Sequence, residues 1–429
     1  MTIAYELPLA AGTGHSVVVD RCQVCNGADL ESILFIGFLP PVNTMQPLGT
    51  KPQEQPAYPA EVLRCRTCQL VQIGLIVDPA ILFPPEYAYT SGTTRILREN
   101  FANLYAECQT LIDLQADDLV VDVGSNDGTL LSNFAEGHPV QGIEPTDIGK
   151  KAQARGIPTH LAFFGPEAAA HVLAERGPAK IVTATNVFAH IENVHEIVGS
   201  IRTMLTDDGV FISESHYLLS LVETLQYDTI YHEHLRYYSL HSLKYLLELH
   251  GLEIFHSTLI PTHGGSIRVY AAQPGAYPVD DSVQTQLQAE IDAGLLADRL
   301  HEFKQAVVQT KLGLHALLRD IIGAGERIYG IGAPSRASTL INYTGLDDTI
   351  MNYVLEVPGS HKTEKYMPGT LIPCVEEPIL FDDPPEYAML LSWHIAEEIM
   401  PKLVEKGFRG DFIVPLPEPR IVRNTDVGN

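Results

Sequence analysis

Leu119-Val-Val-Asp122-Val-Gly124-Ser125-Asn126-Asp127-Gly128-Thr-Leu-Leu131 is the segment on which the fold of this chain turns. Its first half, LVVDV, is apolar without alternation, which is the pattern of a parallel strand buried on both faces. TLLSNFA, which follows, reads as the opening of a helix. A glycine-rich turn between strand and helix lets the backbone approach a ligand at the carboxyl edge of an open α/β sheet.

Working outward, Val140-Gln-Gly-Ile-Glu144-Pro is a second strand that ends in an acid. A carboxylate about 20 residues after the first glycine commonly holds both ribose hydroxyls of a nucleoside cofactor. Lys180-Ile-Val-Thr-Ala-Thr-Asn186-Val-Phe-Ala-His190 is another strand with a polar end. Residues 197–205 then read as a helix, and Asp207-Asp208-Gly209-Val-Phe-Ile-Ser-Glu214 as turn and strand. Strand and helix alternate, as a doubly wound sheet requires. Asp122, Gly124, Ser125, Asn126, Asp127, Gly128, Glu144 and Asn186 form the candidate cofactor set. The turn reads D-x-G-x-N-D-G rather than G-x-G-x-x-G. An acid inside the turn repels a pyrophosphate but suits a sulfonium, so S-adenosylmethionine is expected in preference to NAD. The competing reading is a Rossmann-like domain whose glycine turn is only structural.

The chain has 429 residues, more than one hydrophobic core usually serves, so several domains are expected. A composition of 45% apolar and 19% charged residues is that of a globular protein. No apolar run is long enough to span a bilayer and the N-terminus has no signal-peptide pattern, so no membrane partner and a cytoplasmic location are expected. A formal charge of −25 argues against nucleic acid as the main ligand. A monomer is expected.

Four of the six cysteines fall in two close pairs, Cys22-Gln-Val-Cys25 and Cys65-Arg-Thr-Cys68. Each CxxC turn brings two thiolates to one ion, and two such turns supply the four sulfurs of a structural zinc site. Gly27 supplies tight-turn chemistry after the first pair. A redox CxxC explains one pair but not both. Cys108 and Cys374 stand alone and read as buried residues.

The densest chemistry lies in Tyr231-His232-Glu233-His234-Leu-Arg236-Tyr237-Tyr238-Ser239. Histidine suits proton transfer near neutrality, glutamate orients it, and tyrosine donates to a developing oxyanion. H-E-x-x-H would need histidine where Arg236 stands, which excludes a zinc protease. A polar loop with surface histidines is the plain alternative. His190 ends a cofactor-proximal strand and faces the same region. Tyr87 and Tyr89 close over the pocket or pack a seam. His263-Gly264-Gly265-Ser266-Ile-Arg268 tolerates close approach of a ligand, or forms a β-turn.

Further on, residues 283–322 carry helix-like spacing, with Leu295, Leu300, Phe303, Val307 and Leu312 on one stripe. Arg327-Ile-Tyr-Gly330-Ile-Gly332-Ala-Pro-Ser335-Arg336 is then strand, glycine turn and helix start. Ser335 replaces the third glycine of a dinucleotide motif, so an anion at this helix N-terminus beside Arg336 fits better than NAD. A cofactor-free packing domain is the alternative.

The double CxxC, VDVGSNDGTLL, NVFAHI, YHEHLRYYS and HGGSIR, in this order, resemble the sugar C-methyltransferases of deoxysugar biosynthesis. GIGAPSRASTLINYTG, PGTLIPC and LLSWHIAEEI extend the resemblance nearly to the end. It implies an α/β chain of three parts. These are a zinc-binding module over 1–80, a class I S-adenosylmethionine methyltransferase domain over 81–280, and linking helices with a Rossmann-like nucleotide-sugar-binding domain over 281–429. It further implies C-methylation at C-3′ of a nucleotide-linked 4-keto-6-deoxy sugar. His234 would then be the base, with Tyr231, Glu233 and His190 around the sugar and Tyr87 nearby. Tyr89, His263, Arg268, Arg336 and Lys362 complete the expected substrate set. The sequence departs from the family at Glu356-Val-Pro-Gly-Ser-His-Lys362, at His394 and at Arg336, which leaves thymidine and guanosine diphosphate both open. The alternatives are O- or N-methylation of another small acceptor, a non-catalytic zinc- or nucleotide-binding protein, and a NAD-dependent epimerase or dehydrogenase on Gly330 and Gly332.

Overall fold

The computed structural model describes residues 15–83 and 95–428. Its central sheet has seven strands: β1 Val120–Val123, β2 Val140–Ile143, β3 Thr159–His160, β4 Ala179–Thr185, β5 Leu205–His216, β6 Glu253–Ile260 and β7 Ser266–Ala272. They lie in the order β6-β7-β5-β4-β1-β2-β3, with β7 antiparallel to β5 and the five strands from β5 to β3 parallel. The run LVVDV is covered on both faces, as its lack of alternation requires. Val120 packs on Phe101, Leu104 and Phe134, while Val121 and Val123 pack on Val198 and Ile201 from the opposite side. Helix Arg95–Leu111 covers the first face and helix Val194–Met204 the second. The latter buries Val194, Ile197, Val198, Ile201 and Met204, the 3.6-residue stripe that one apolar face needs.

The helix expected after the glycine turn is not there. Residues 124–139 form turns and one 3₁₀ segment, Leu131–Asn133. Side chains compete with the helical ladder: Thr129 Oγ1 donates to Asp127 Oδ1 at 2.6 Å, Ser132 Oγ to the Thr129 carbonyl at 2.7 Å, and Asn133 Nδ2 to the Thr129 and Leu130 carbonyls. Short polar side chains that capture neighbouring backbone groups favour turns over helix.

The cysteine-bearing segment forms an antiparallel sheet of Leu30–Leu39, Tyr58–Cys65 and Val71–Ile73, and a fourth strand, Arg236–Tyr237, comes from the histidine-rich string. A boundary at residue 80 therefore cuts through a shared sheet. Backbone pairing across 160 residues of chain is invisible to composition.

Helices Asp281–Asp292 and Arg299–Gly323 follow, burying Leu300, Phe303, Val307, Leu314 and Leu318. Leu312, placed on that stripe from spacing, is 57% exposed, because the face continues through Thr310 and Leu314. A second sheet comprises β8 Ile328–Ile331, β9 Tyr353–Glu356, β10 Lys365–Tyr366, β11 Pro373–Glu376, β12 Tyr387–Leu390, β13 Asp411–Val414 and β14 Arg420–Val422, in the order β10-β11-β9-β8-β12-β13-β14. The five inner strands are parallel and both edges antiparallel. Helix Ser335–Thr344 starts just beyond the glycine turn after β8. Among the described residues no helix is long and apolar enough to cross a membrane.

Candidate active site and metal centre

The four clustered cysteines converge. Cys22 Sγ lies 3.4 Å from Cys68 Sγ and Cys25 Sγ 3.4 Å from Cys65 Sγ, with all four within 4.8 Å of one another. A disulfide would need about 2 Å, whereas sulfurs on a tetrahedral zinc at about 2.3 Å stand roughly 3.8 Å apart. The two knuckles are built alike. The Asn26 amide donates to the Cys22 carbonyl and the Gln69 amide to the Cys65 carbonyl, both at 3.0 Å, and Asn26 and Gln69 share a left-handed backbone, φ 57° and 63°. The left-handed residue is thus Asn26 rather than Gly27. Gly27 is needed because a Cβ there would sit 3.2 Å from Cys25 Sγ. One zinc per chain is expected by metal analysis. Chelation in mild denaturant is expected to melt the four-stranded sheet, since structural zinc supplies folding free energy on the order of 10 kcal/mol in small modules. Because Arg236–Tyr237 is a strand of that sheet, methyl transfer should fall in step with zinc content.

At the carboxyl edge of β1 the backbone itself makes the cradle. Gly124 has φ +71°, and a Cβ there would lie 2.5 Å from Val187 Cγ2. Asn126 and Asn186 are also left-handed, at φ 49° and 56°. Glu144 accepts from the Asn126 amide at 3.0 Å and from the Thr146 amide and hydroxyl at 2.9 and 2.6 Å, so its carboxylate is held rigidly beside the turn. Asp122 accepts from Thr183 Oγ1 at 2.6 Å, and burial pushes its carboxyl up to about 7. Ser125 Oγ and Asn186 Oδ1 are buried and have no partner among the described residues, which is what a polar ligand would satisfy. The charge argument for the donor needs correction. Asp127 is neutralised by Arg155 at 3.1 Å and also receives Thr129, so its charge is not free for a sulfonium.

From this cradle a short path leads to the histidines. Val187, against Gly124, starts the loop that ends in His190, whose ring centroid is 5.0 Å from that of His234. The backbone of Leu235 donates to the Ala189 carbonyl at 2.9 Å, and Phe188 stacks on Tyr238 at 5.7 Å. The His234 ring also lies 4.2 Å from Tyr231 and 5.1 Å from His216, and His216 lies 5.3 Å from His263. His234 Nδ1 faces the Thr229 carbonyl at 2.8 Å. A carbonyl only accepts, so Nδ1 carries the proton and Nε2 keeps its lone pair. Burial, with His190 next, lowers His234 to about 3; burial also lowers His190 and His263 to about 4 and His394 to about 3. Each is a neutral imidazole at pH 7.

With this geometry in view, the similarities are decisive. Three family models match successive segments: "Putative zinc binding domain" over 22–83, "Methyltransferase domain" over 94–257 and "C-methyltransferase C-terminal domain" over 261–417. The chain is 32% identical over 413 residues to the C-methyltransferase NovU of Streptomyces niveus, covering 94% of this chain and 97% of that one. It belongs to the C-methyltransferase family. Solved structures that align include an S-adenosylmethionine-dependent methyltransferase from Clostridium acetobutylicum (13% identity, 43% of this chain and 94% of that one, TM-score 0.33) and the CcbJ methyltransferase from Streptomyces caelestis (15%, 44% and 94%, TM-score 0.33).

The C-methyltransferase therefore takes S-adenosylmethionine and zinc, and the residues above fit both. A Gly124→Ala variant is expected to bind S-adenosylmethionine at least about tenfold more weakly by calorimetry, because the added methyl meets Val187 at a strained φ. Native affinity in this variant would mean the donor lies elsewhere.

Other expected site residues fall as follows. Glu233 Oε1 accepts from Asn43 Nδ2 at 2.7 Å, and Asn43 Oδ1 accepts from Ser335 Oγ at 3.3 Å. Lys362 Nζ donates to the Ala333 carbonyl at 2.6 Å, at the glycine turn after β8. Arg336 spends Nε and Nη2 on Asp228 at 2.8 and 2.7 Å, so the free anion receptor expected from sequence is largely committed. Arg268 does not face the cavity. It is fully buried, paired to Glu214 and Glu107 at 2.6 Å and to Asn100 Oδ1 at 2.9 Å, locking helix Arg95–Leu111 to β5 and β7. Tyr87 and Tyr89 lie outside the described residues. Sequence reasoning missed His216, Asn43, Asp228 and Trp393, and noticed His394 only as a family departure. His216 had a legible signal, since it ends β5 beside the cofactor edge; the others arrive from distant segments.

Proposed function

We propose that this enzyme methylates C-3′ of a 4-keto-6-deoxy sugar linked to a thymidine or guanosine diphosphate, through an enolate formed by His234. The observation that carries the reading is the His234–Thr229 hydrogen bond, which leaves an acceptor nitrogen on a buried ring next to His190 and the cofactor edge. A ketone at C-4′ acidifies the neighbouring C–H, because the electron pair left on C-3′ moves onto the ketone oxygen. His234 Nε2 takes that proton. Burial makes this imidazole a weak base, but it also keeps it neutral and ready at pH 7. The negative charge that develops on the sugar then favours the imidazolium it faces. S-adenosylmethionine supplies the electrophilic methyl group. Tyr231, against the base, borders the sugar and donates toward the enolate oxygen, His190 borders the sugar beside it, and Glu233, oriented by Asn43, faces the sugar hydroxyls. The glycine turn after β8, with Lys362 and His263, holds the nucleotide end. Tyr87, near the sugar by family resemblance, and Tyr89 complete the substrate set.

The test is incubation of the keto sugar nucleotide in deuterium oxide without methyl donor. Exchange at C-3′ is expected, and carbon NMR of the full product should show the new methyl on carbon. A methyl on oxygen or nitrogen would instead establish a heteroatom acceptor. Absence of exchange with native enzyme would remove the enolate.

A further inference from the structure

The base is oriented by the Thr229 carbonyl, yet the turn that carries Thr229 is anchored from the other sheet. Asp228, in the 3₁₀ segment Tyr227–Thr229, is fully buried and receives three donors: Arg336 Nε at 2.8 Å, Arg336 Nη2 at 2.7 Å and Trp393 Nε1 at 2.8 Å. The Arg336 guanidinium stands 4.9 Å over the Trp393 ring. Thr339 Oγ1 donates to the Ile230 carbonyl at 3.2 Å, and Tyr343 meets Tyr227 edge-on at 5.1 Å. Gln226 joins the same network, accepting from Arg336 Nη2 at 3.2 Å and donating to the Gly264 carbonyl at 2.6 Å. Arg336, Thr339 and Tyr343 all lie on helix Ser335–Thr344, and Trp393 follows β12.

We propose that Asp228, clamped by Arg336 and Trp393, is a positioning residue that holds the Thr229 carbonyl against His234 Nδ1 and so keeps Nε2 deprotonated and aimed. The consequence is a mechanical link between the sheet with the glycine turn after β8 and the base on the central domain. A buried carboxylate with three donors is rigid and charge-balanced. Outer groups that hold a metal-ligating histidine cost about 10–100-fold in affinity or activity when altered, and an imidazole base held from behind is expected to respond on the same scale. The role deepens the proposed reaction and rests on His234 being the base, but the clamp's effect on the imidazole can be read without any substrate.

The experiment uses full-length zinc-loaded enzyme labelled with ¹⁵N-histidine, with the signals of His234 assigned by their loss in His234→Asn. The native protein should show the Nδ1–H tautomer. Arg336→Lys, which keeps the charge but loses the fork, and Asp228→Asn should both show a mixture of tautomers. Turnover should drop about 10–100-fold with KM changed by less than about threefold. Trp393→Phe removes one donor only and replaces Asp228→Asn should that variant not fold. An unaltered Nδ1–H signal in the folded variants overturns the proposal, as does a loss confined to KM. Mixed tautomers in an enzyme that fails to exchange C-3′ would uphold the clamp and sink the sugar assignment instead.

Discussion

Replacing His234 with asparagine is expected to lower turnover by about 10²–10⁴-fold, the range usual for removing a general base, and to abolish deuterium uptake at C-3′. The substitution is chosen because an asparagine amide can still donate toward the Thr229 carbonyl, which receives Nδ1 at 2.8 Å in the native protein. What disappears is the nitrogen on the far side of the ring. Binding of S-adenosylmethionine should change little, because the cradle at Gly124 and Glu144 belongs to other segments. Undiminished exchange in this variant would transfer the base role to another group. The neighbouring imidazoles His190 and His216, at 5.0 and 5.1 Å from the His234 ring, would be the first to examine.

The second large effect concerns acid. His190 and His263 sit at about 4 and His234 and His394 at about 3, while His216 lies well below its usual value, in every case chiefly through burial. When such a protein unfolds, these imidazoles return to an ordinary value near 6.5. Below that pH the unfolded chain binds more protons than the folded one, so stability falls as pH falls, until the folded values near 3–4 are reached. Two carboxyls oppose this. Burial raises Asp122 to about 7 and lifts Glu214, so between their unfolded and folded values the native state binds the extra proton. The lowered imidazoles outnumber the two raised carboxyls, so stability is expected to fall as pH falls through roughly pH 6 to 4.5. Denaturant titrations at pH 7, 6 and 5 measure this fall, and His263→Gln should make it shallower. A stability flat between pH 7 and 5 would mean that the cluster is solvated.

Much of the site was legible because its chemistry is local. CxxC spacing brings two sulfurs together within one turn, so the metal set needed no tertiary knowledge. The VDVGSNDG turn joins strand to candidate cradle within ten residues, and YHEH carries the proposed base, orienting acid and phenol within four. Reading failed where side chains had alternatives that only packing resolves. Arg268 beside two glycines looked like a ligand group, but two carboxylates from a helix and a neighbouring strand claim it. Asp127 looked like a free charge until Arg155, 28 residues later, met it. The missing helix after the turn has the same origin, in hydroxyl and amide groups that outcompeted the backbone ladder.

Alternation of strand and helix, burial of the first core strand and the grouping of the four cysteines were thus encoded in short-range pattern, where apolar period and ligand spacing act over one or two turns of chain. That Arg336 and Arg268 are committed to carboxylates, and that the cysteine-bearing sheet borrows a strand from the histidine-rich string, were decided only when segments more than 100 residues apart met. A guanidinium or an imidazole has no preferred partner in one dimension. Its role is set by whichever buried carboxylate or carbonyl desolvation forces it to satisfy.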